Sequence, residues 1–222
     1  MKIRGAPKPD HYALRHARAA QTRSEILRVA ADKFAAAGLA GARMEAIAHA
    51  AGVNKALLYY YFKSKEGLYS AVLEEHLKEF SRRAQDTLSA PGAARAKILR
   101  FVSLHFDFVS ARPYYPLLFQ HLLLTGGAQF RRLLRKYLLP VGKGLIGVIS
   151  EGIRGGEFRP VDPSHMAISI VGVTVHYFSS APMMRDFRGI DPFGAAQLRR
   201  RKAQVLEFIR FGLFRRPEGK IV

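Results

Sequence analysis

Apolar residues recur every three to four positions along most of this chain, and Gly and Pro separate the runs. Ile26, Leu27, Ala30, Ala31 and Phe34 follow a Thr-x-x-Glu capping box at Thr22 and Glu25. That box predicts a helix start at Thr22, and Gly38 is a suitable stop. The stretch RMEAIAHAAGVNKALLYYYF, residues 43–62, divides into two short helical patterns at Gly52. Ser64 is placed to cap a further helix with Leu68, Val72, Leu73, Leu77 and Phe80 on its apolar face.

Beyond Pro91 and Gly92 the period stays helical. Ile98, Phe101, Val102, His105, Phe108 and Val109 share one face, and Pro113 and Pro116 bracket a break. A stripe from Phe130 through Leu133, Tyr137, Val141, Leu145 and Val148 contains Pro140, which predicts a kink. Gly155, Gly156, Pro160 and Pro163 form a loop, residues 182–192 a further break, and a last helix is expected over about Phe193 to Phe214. No repeat and no strand pattern occurs, so the fold class is all-α.

Between Asp162 and Arg185 lie 22 uncharged residues, a length that invites comparison with a membrane span. His165, Ser169, Thr174, His176, Ser179 and Ser180 interrupt it, so a buried helix and no membrane partner is the expectation. The first 23 residues are basic and carry no apolar signal region.

The chain has 222 residues, 49% of them apolar, which is enough for a sizeable core. It has no Cys, which excludes disulfides, thiolate metal sites and a cysteine nucleophile and fits a cytoplasmic location. The net charge of +19 points to a polyanion, nucleic acid first and an anionic membrane second. Divided along the chain, the excess is +5 over residues 1–23, +2 over 24–70 and +12 over 71–222. Charge alone therefore does not locate a binding surface. The Pro- and Gly-containing segment 1–21 reads as a flexible basic arm and a salt-sensitive tether to DNA.

Two short helices crossing at a tight turn need a small residue at the crossing, a Gly at the turn and apolar inner positions. Ala48, Gly52 and Leu58 stand at that spacing, with Ile47, Ala51 and Val53 as further inner positions. This is a helix-turn-helix pattern whose second helix spans about Asn54 to Phe62. Such a helix inserts its N-terminal part into the major groove.

Residues 22–38, the segment AIAHAAGVNKALLYYYF and the following KSKEGLYSAVLEEH together resemble the DNA-binding domain of TetR-family transcriptional regulators. The resemblance covers about 50 residues and its elements fall in the family's order. It implies about nine helices: an N-terminal three-helix DNA-binding domain over 22–68, then a larger helical effector-binding and dimerisation domain over 69–222.

The resemblance also implies residue roles. Tyr59 and Lys65 match positions that contact DNA phosphate. Tyr60 and Tyr61 match exposed aromatic positions, Lys63 lies close enough to assist, and Lys55, Ala56 and Leu57 open the helix that faces base edges. Where members often place a capping Thr, this chain has Ala42 and Arg43, and Arg43 is either a substitute phosphate contact or a solvated residue. Glu45 is expected to balance neighbouring charge, and Asn54 to cap the second helix.

Gly142 to Gly147 reads GxGxxG, but helical periodicity precedes it where a nucleotide fold needs a strand, so its glycines are assigned to close helix packing. No HExxH, nucleophile elbow or phosphate loop occurs, and neither enzyme chemistry, a cofactor nor a metal is expected. His105, Phe108, Tyr114, Tyr115, Phe119, His121, Tyr137, His176 and Tyr177 place donors and rings on apolar helices. Core packing explains each singly; together they mark a candidate effector pocket. Arg100, Arg112 and Arg131 favour a neutral or anionic effector over a cationic one. In the family the last two helices form a homodimer interface, for which Ile168, Val171, Val175, Phe178, Val205, Phe208, Ile209 and Leu213 are the candidates.

The first reading is a homodimeric regulator, acting as a repressor at a pseudo-palindromic operator and released by a small molecule. The second is the same DNA-binding fold with a C-terminal domain that only dimerises or binds a partner. The third is a helical enzyme or a membrane-surface protein using the basic arm.

Overall fold

A computed structural model describes residues 11–112, 115–116, 119, 127–189 and 191–215. Helices are α1 (His11–Gly41), α2 (Met44–Ala50), α3 (Lys55–Phe62), α4 (Lys65–Ser89), α5 (Ala94–Ser110), α6 (Ala128–Leu133), α7 (Leu139–Arg154), α8 (Pro163–Ser179), α9 (Ala181–Arg188) and α10 (Ala195–Leu213). A π-helical turn, Leu134–Leu138, joins α6 to α7 in one rod, so that nine helices stand among the described residues. The fold is all-α, and its one extended feature there is an isolated bridge between Phe158 and Phe214. Two compact units, Met1–Glu74 and Glu75–Val222, divide inside α4, a little beyond the boundary expected at Leu68.

In the first unit α1 begins at His11, so the part of the expected flexible arm that is described, 11–21, is helical. Its sequence, HYALRHARAAQ, is rich in Ala, carries two Arg and lacks Gly and Pro, which favours helix over coil. Thr22 lies inside that helix and its hydroxyl donates to the Arg18 carbonyl at 2.9 Å. The capping box is therefore not a helix start. Gly38 does break the helical backbone, at φ 66° and ψ −179°. Ile26, Ala30 and Phe34 of α1 are buried with Ile47, Leu58 and Leu68, and the Phe34 and Tyr69 rings meet edge to face at 5.1 Å.

In the second unit α5 packs against α7, α8 and α10. Ile98, Phe101, Val102, Phe106 and Val109 are enclosed there with Leu145, Ile149, Ile170, Phe178, Val205, Ile209 and Leu213. Ala93 has no side-chain oxygen to cap α5. The Glu157 carboxylate does it instead, accepting from the Ala94 and Arg95 amides at 3.1 and 3.0 Å. Asp162 caps α8 by accepting from the His165 amide at 2.8 Å.

The irregularity expected at Pro140 takes the form of the π turn before it. The Leu139 amide reaches back five residues to the Leu134 carbonyl, which makes room ahead of a ring that cannot donate. Pro182 does not break the chain as expected, because it sits in the first turn of α9, where no amide donor is needed. The GxGxxG glycines lie within α7. Only Gly144 serves close packing, against Leu88, while Gly142 and Gly147 face open space. The close contact that periodicity did not reveal is at Gly152, where a β-carbon would overlap the Phe158 ring.

The uncharged stretch forms α8 and the start of α9 and is buried on one face only: Ala167, Ile170, Thr174 and Phe178 face the core while Ile168 and Val171 are exposed. Among the described residues no helix is long and apolar enough to cross a membrane.

Candidate nucleic-acid interface

The corner between α2 and α3 is built by backbone hydrogen bonds that only one residue type suits. The Val53 amide donates to the Ala48 carbonyl at 3.0 Å and the Gly52 amide to the His49 carbonyl at 3.1 Å, the paired bonds of a Schellman ending. Gly52 takes φ +65° there, a region that costs a residue with a β-carbon. Four residues on from Ala48 the chain has turned, and Asn54 begins α3 by accepting from the Leu57 amide at 2.8 Å.

Leu58 and Phe62, one turn apart, anchor α3 in the core, and this fixes which of its residues face outward. Lys55, Ala56, Tyr59 and Tyr60 are exposed, Leu57 and Tyr61 half-buried. Tyr60 is the outermost of the three tyrosines at 70% exposure, and the Tyr61 ring stands edge-on beside it at 5.5 Å. Lys55 is ion-paired to Glu45 of α2. The hydrogen bond from Lys55 holds the Glu45 carboxyl below its ordinary range, and the same bond raises the Lys55 ammonium. Glu45 thus balances neighbouring charge, while Arg43, exposed, precedes α2 without a side-chain capping bond.

The corner between α3 and α4 is tighter. Lys63 has φ +67°, and the Ser64 amide donates to the Phe62 carbonyl across it at 2.8 Å, a three-residue turn that a non-glycine residue adopts under strain. Its ammonium donates to the Tyr60 carbonyl at 3.1 Å and lies 5.6 Å from the Tyr60 ring centre. Ser64 caps α4 by accepting from the Gly67 amide at 3.0 Å.

Lys65, expected at a phosphate, also has partners within the chain. Its ammonium donates to the Ala40 and Ala42 carbonyls at 3.2 and 3.4 Å, closing the end of α1 against the start of α4. Spacing along the chain does not reveal these two carbonyls. Arg23, too, belongs to this region without a signal in the motif: its guanidinium stacks on the Phe62 ring at 5.5 Å.

In the second unit the candidate effector residues divide. His105 is buried between the rings of Phe80, at 5.2 Å, and Phe101, at 6.0 Å, and its Nδ1 has no hydrogen-bond partner among the described residues. Burial pushes its pKa down to about 4. Phe80 meets Phe108, Phe108 meets Tyr115, and Tyr115 stacks on Phe119, whose ring contacts Phe130. Tyr137, buried against Leu77 and Leu133, has Tyr115 and Phe119 packed on that group. His105, Phe108, Tyr115, Phe119 and Tyr137 therefore belong to one aromatic cluster. It also includes His76, whose ring meets Tyr115 at 5.9 Å and which periodicity does not single out.

His176 and Tyr177 do not join that cluster as expected. His176 is exposed, with its Nε2 3.2 Å from the Ser180 hydroxyl, and the buried Tyr177 donates to the Pro192 carbonyl at 2.8 Å. Both follow from the face of α8 that meets the core. Tyr114 and His121 lie outside the described residues.

The candidate dimer residues divide in the same way. Phe178, Val205, Ile209 and Leu213 are core residues of the single chain, a correction that follows from their facing α5. Ile168, Val171 and Phe208 are exposed and Val175 half-buried, and Phe211 and Phe187 add exposed rings not anticipated from the sequence.

Comparison with known proteins adds to this geometry. Residues 26–72 match the family described as bacterial regulatory proteins, tetR family, and residues 87–219 match the tetracyclin repressor-like C-terminal domain. The chain is 33% identical over 168 residues to the HTH-type transcriptional regulator RutR of Escherichia coli K12, covering 74% of this chain and 77% of RutR. Its fold is similar to that of FadR from Bacillus subtilis, solved in complex with stearoyl-CoA, with a TM-score of 0.66 at 22% identity over 84% of this chain and 96% of FadR. It is also similar to AibR, solved in complex with isovaleryl coenzyme A and operator DNA, with a TM-score of 0.70 at 18% identity over 84% of this chain and 97% of AibR.

Proposed function

Because the chain belongs to the TetR family of transcriptional regulators, we propose that it is a homodimeric repressor that reads an operator with α3 and leaves it when a small molecule occupies the second unit. The observation that carries the reading is the presentation of α3. The Gly52 turn and the Leu58–Phe62 anchor leave Lys55, Ala56, Tyr59 and Tyr60 outward on one short helix. A tyrosine ring there touches a thymine methyl while its hydroxyl reaches a phosphate, and Lys55 and Lys63 flank it with charge. Arg43 adds a cation at the start of α2. Leu57 and Tyr61, half-buried, set how deeply the helix enters, and Lys65 supports the domain from behind.

Two copies are needed to read a pseudo-palindrome, and the exposed Ile168, Val171 and Phe208 on α8 and α10 suit a self-complementary apolar contact. The effector site is assigned to the aromatic cluster around His105, where apolar rings surround a buried imidazole whose Nδ1 lacks a hydrogen-bond partner among the described residues. Complexes of similar proteins with stearoyl-CoA and with isovaleryl coenzyme A and operator DNA support a small-molecule response. For the response to lower operator affinity, the effector must bind the DNA-free state more tightly.

A mobility-shift assay with operator and scrambled duplexes tests the reading. Tyr60→Ala is expected to abolish the preference for operator while leaving weak, salt-sensitive binding to any duplex. Unchanged preference would move the reading surface away from α3. A metabolite screen for compounds that raise the melting temperature and release the operator tests the effector half.

A further inference from the structure

The start of α1 carries cations that no acid of its own stretch offsets. From His11 to Ser24 the sequence holds Arg15, Arg18 and Arg23 and no Asp or Glu. The first acid after them, Glu25, is bonded to Arg28 at 2.5 and 2.9 Å. Arg15 and Arg18 are exposed and stand three residues apart, a spacing at which like charges repel on a helix. With His11 and Thr22 they follow one another at steps of four, three and four residues, which puts all four on one stripe of the helix. Such a stripe gains from an anion outside the chain.

This part of α1 is fixed beside α3. The Arg23 guanidinium lies over the Phe62 ring at 5.5 Å, and Phe62 is the last residue of α3. Ala19 and Thr22 are half-buried, whereas Arg15, His16, Ala17 and Arg18 are all exposed, so the helix leaves the body of the first unit at Ala19. The stretch from Ala19 back to His11 spans about 12 Å, close to the width of a major groove, also about 12 Å. Continuation from a packed helix spares these residues the cost of nucleation, and their Ala content favours the helical state. Arg15 and Arg18 are therefore carried at a set distance from α3.

We propose that residues 11–23 are a second DNA-contacting element, a helical arm that lays Arg15 and Arg18 on backbone phosphates at the edge of the groove that α3 enters. The forked donors of a guanidinium match phosphate oxygens two at a time. Contacts of this kind carry no base information, so the arm adds affinity and protected phosphates while α3 sets the sequence. It differs from a flexible tether in that its shape, as well as its charge, is needed. This assignment rests on the reading of α3 as the helix that enters the groove and adds a backbone contact to it.

The test uses the full-length protein, a duplex that it selects from a random-sequence pool and a scrambled duplex of the same length. Arg15→Ala/Arg18→Ala removes two phosphate contacts per copy and four per dimer. Its affinity for the selected duplex is expected to fall about tenfold or more, with the slope of log affinity against log salt shallower by about three to four. The preference for the selected over the scrambled duplex should persist, and phosphates whose ethylation blocks the parent should no longer matter. Ala20→Pro keeps every charge but breaks the helix between the arm and the core. It should lose as much affinity as the double Ala variant. All three positions are exposed, and unchanged melting temperatures would establish that the variants fold.

A double Ala variant with the parent's affinity and salt slope overturns the arm and leaves the α3 reading standing. Loss in the double Ala variant with none in Ala20→Pro overturns the helical arm in favour of a tether that needs only its charge. Loss that comes with a lowered melting temperature in both variants assigns the start of α1 to stability and overturns the arm as well. A parent that selects no duplex over any other overturns the α3 reading, and the arm with it.

Discussion

Phe62 and Gly67 meet so closely that the carbonyl oxygen of Phe62 occupies the place where a side chain at residue 67 would begin. The last residue of α3 is thereby seated on the first turn of α4, and the outward face of α3 is fixed by backbone contact as well as by its buried Leu58.

Gly67→Ala gives this contact a clear sign. Inside a helix the change ordinarily gains about 1 kcal/mol. Here the methyl group meets backbone that cannot rotate away, so a net loss of about 1–3 kcal/mol is expected in urea unfolding. Operator affinity should fall with it. A variant as stable as the parent would show that the α3–α4 corner has slack.

Lys63→Gly should separate stability from binding. Removing the β-carbon at φ +67° relieves strain, and a gain of about 0.5–1 kcal/mol in thermal unfolding is expected. The ammonium beside Tyr60 is lost at the same time. DNA binding should weaken, with the slope of log affinity against log salt shallower by about one. Better stability with unchanged DNA binding would remove Lys63 from the interface.

Much of the reading domain was legible in the sequence because its signals are local. Asn54 and Ser64 cap the helices they were expected to cap, and Gly52 turns the chain by a conformation that its residue type makes cheap. Thr22 misled because a capping box has the same spelling inside a helix as at its start, and the Ala- and Arg-rich residues before it continue the helix. The glycine that matters most near α3, Gly67, is recognised only by what stands opposite it. In the second unit periodicity found the apolar stripes of α8 and α10 without telling the core side from the outer side. Ile209 and Phe208 are neighbours in sequence, yet one is enclosed and the other is 60% exposed. His105 and His176 were grouped for the same reason, and the structure separates them.

His105 should make stability depend on pH. Its folded-state pKa of about 4 lies below the ordinary 6.5, so the unfolded chain binds the proton more tightly between those values. The contribution is fully present above pH 6.5 and is lost as pH falls towards 4, with a total of roughly 3 kcal/mol. His76, lowered to about 4 chiefly by burial, acts in the same direction. His105→Phe should keep the ring packing and remove about half of the loss between pH 6.5 and 4, measured by urea unfolding across that range. An unaltered pH dependence would mean that His105 is not enclosed as described.

Ile168→Arg places a charge on the exposed face of α8 without touching the single-chain core. If that face joins two copies, sedimentation should show a shift from dimer to monomer, with operator binding weakened because one copy reads only half a site. Phe208→Arg, on α10, should act in the same direction. Dimers that survive both changes would place the contact elsewhere.

The most direct measurement is selection of bound duplexes from a random-sequence pool by the full-length protein. A dimer that reads DNA through α3 enriches a two-fold symmetric site with half-site centres about one helical turn or more apart, and the same selection with Tyr60→Ala loses that site. Enrichment of no sequence, or of the same site by the parent and by Tyr60→Ala alike, would contradict operator reading by α3.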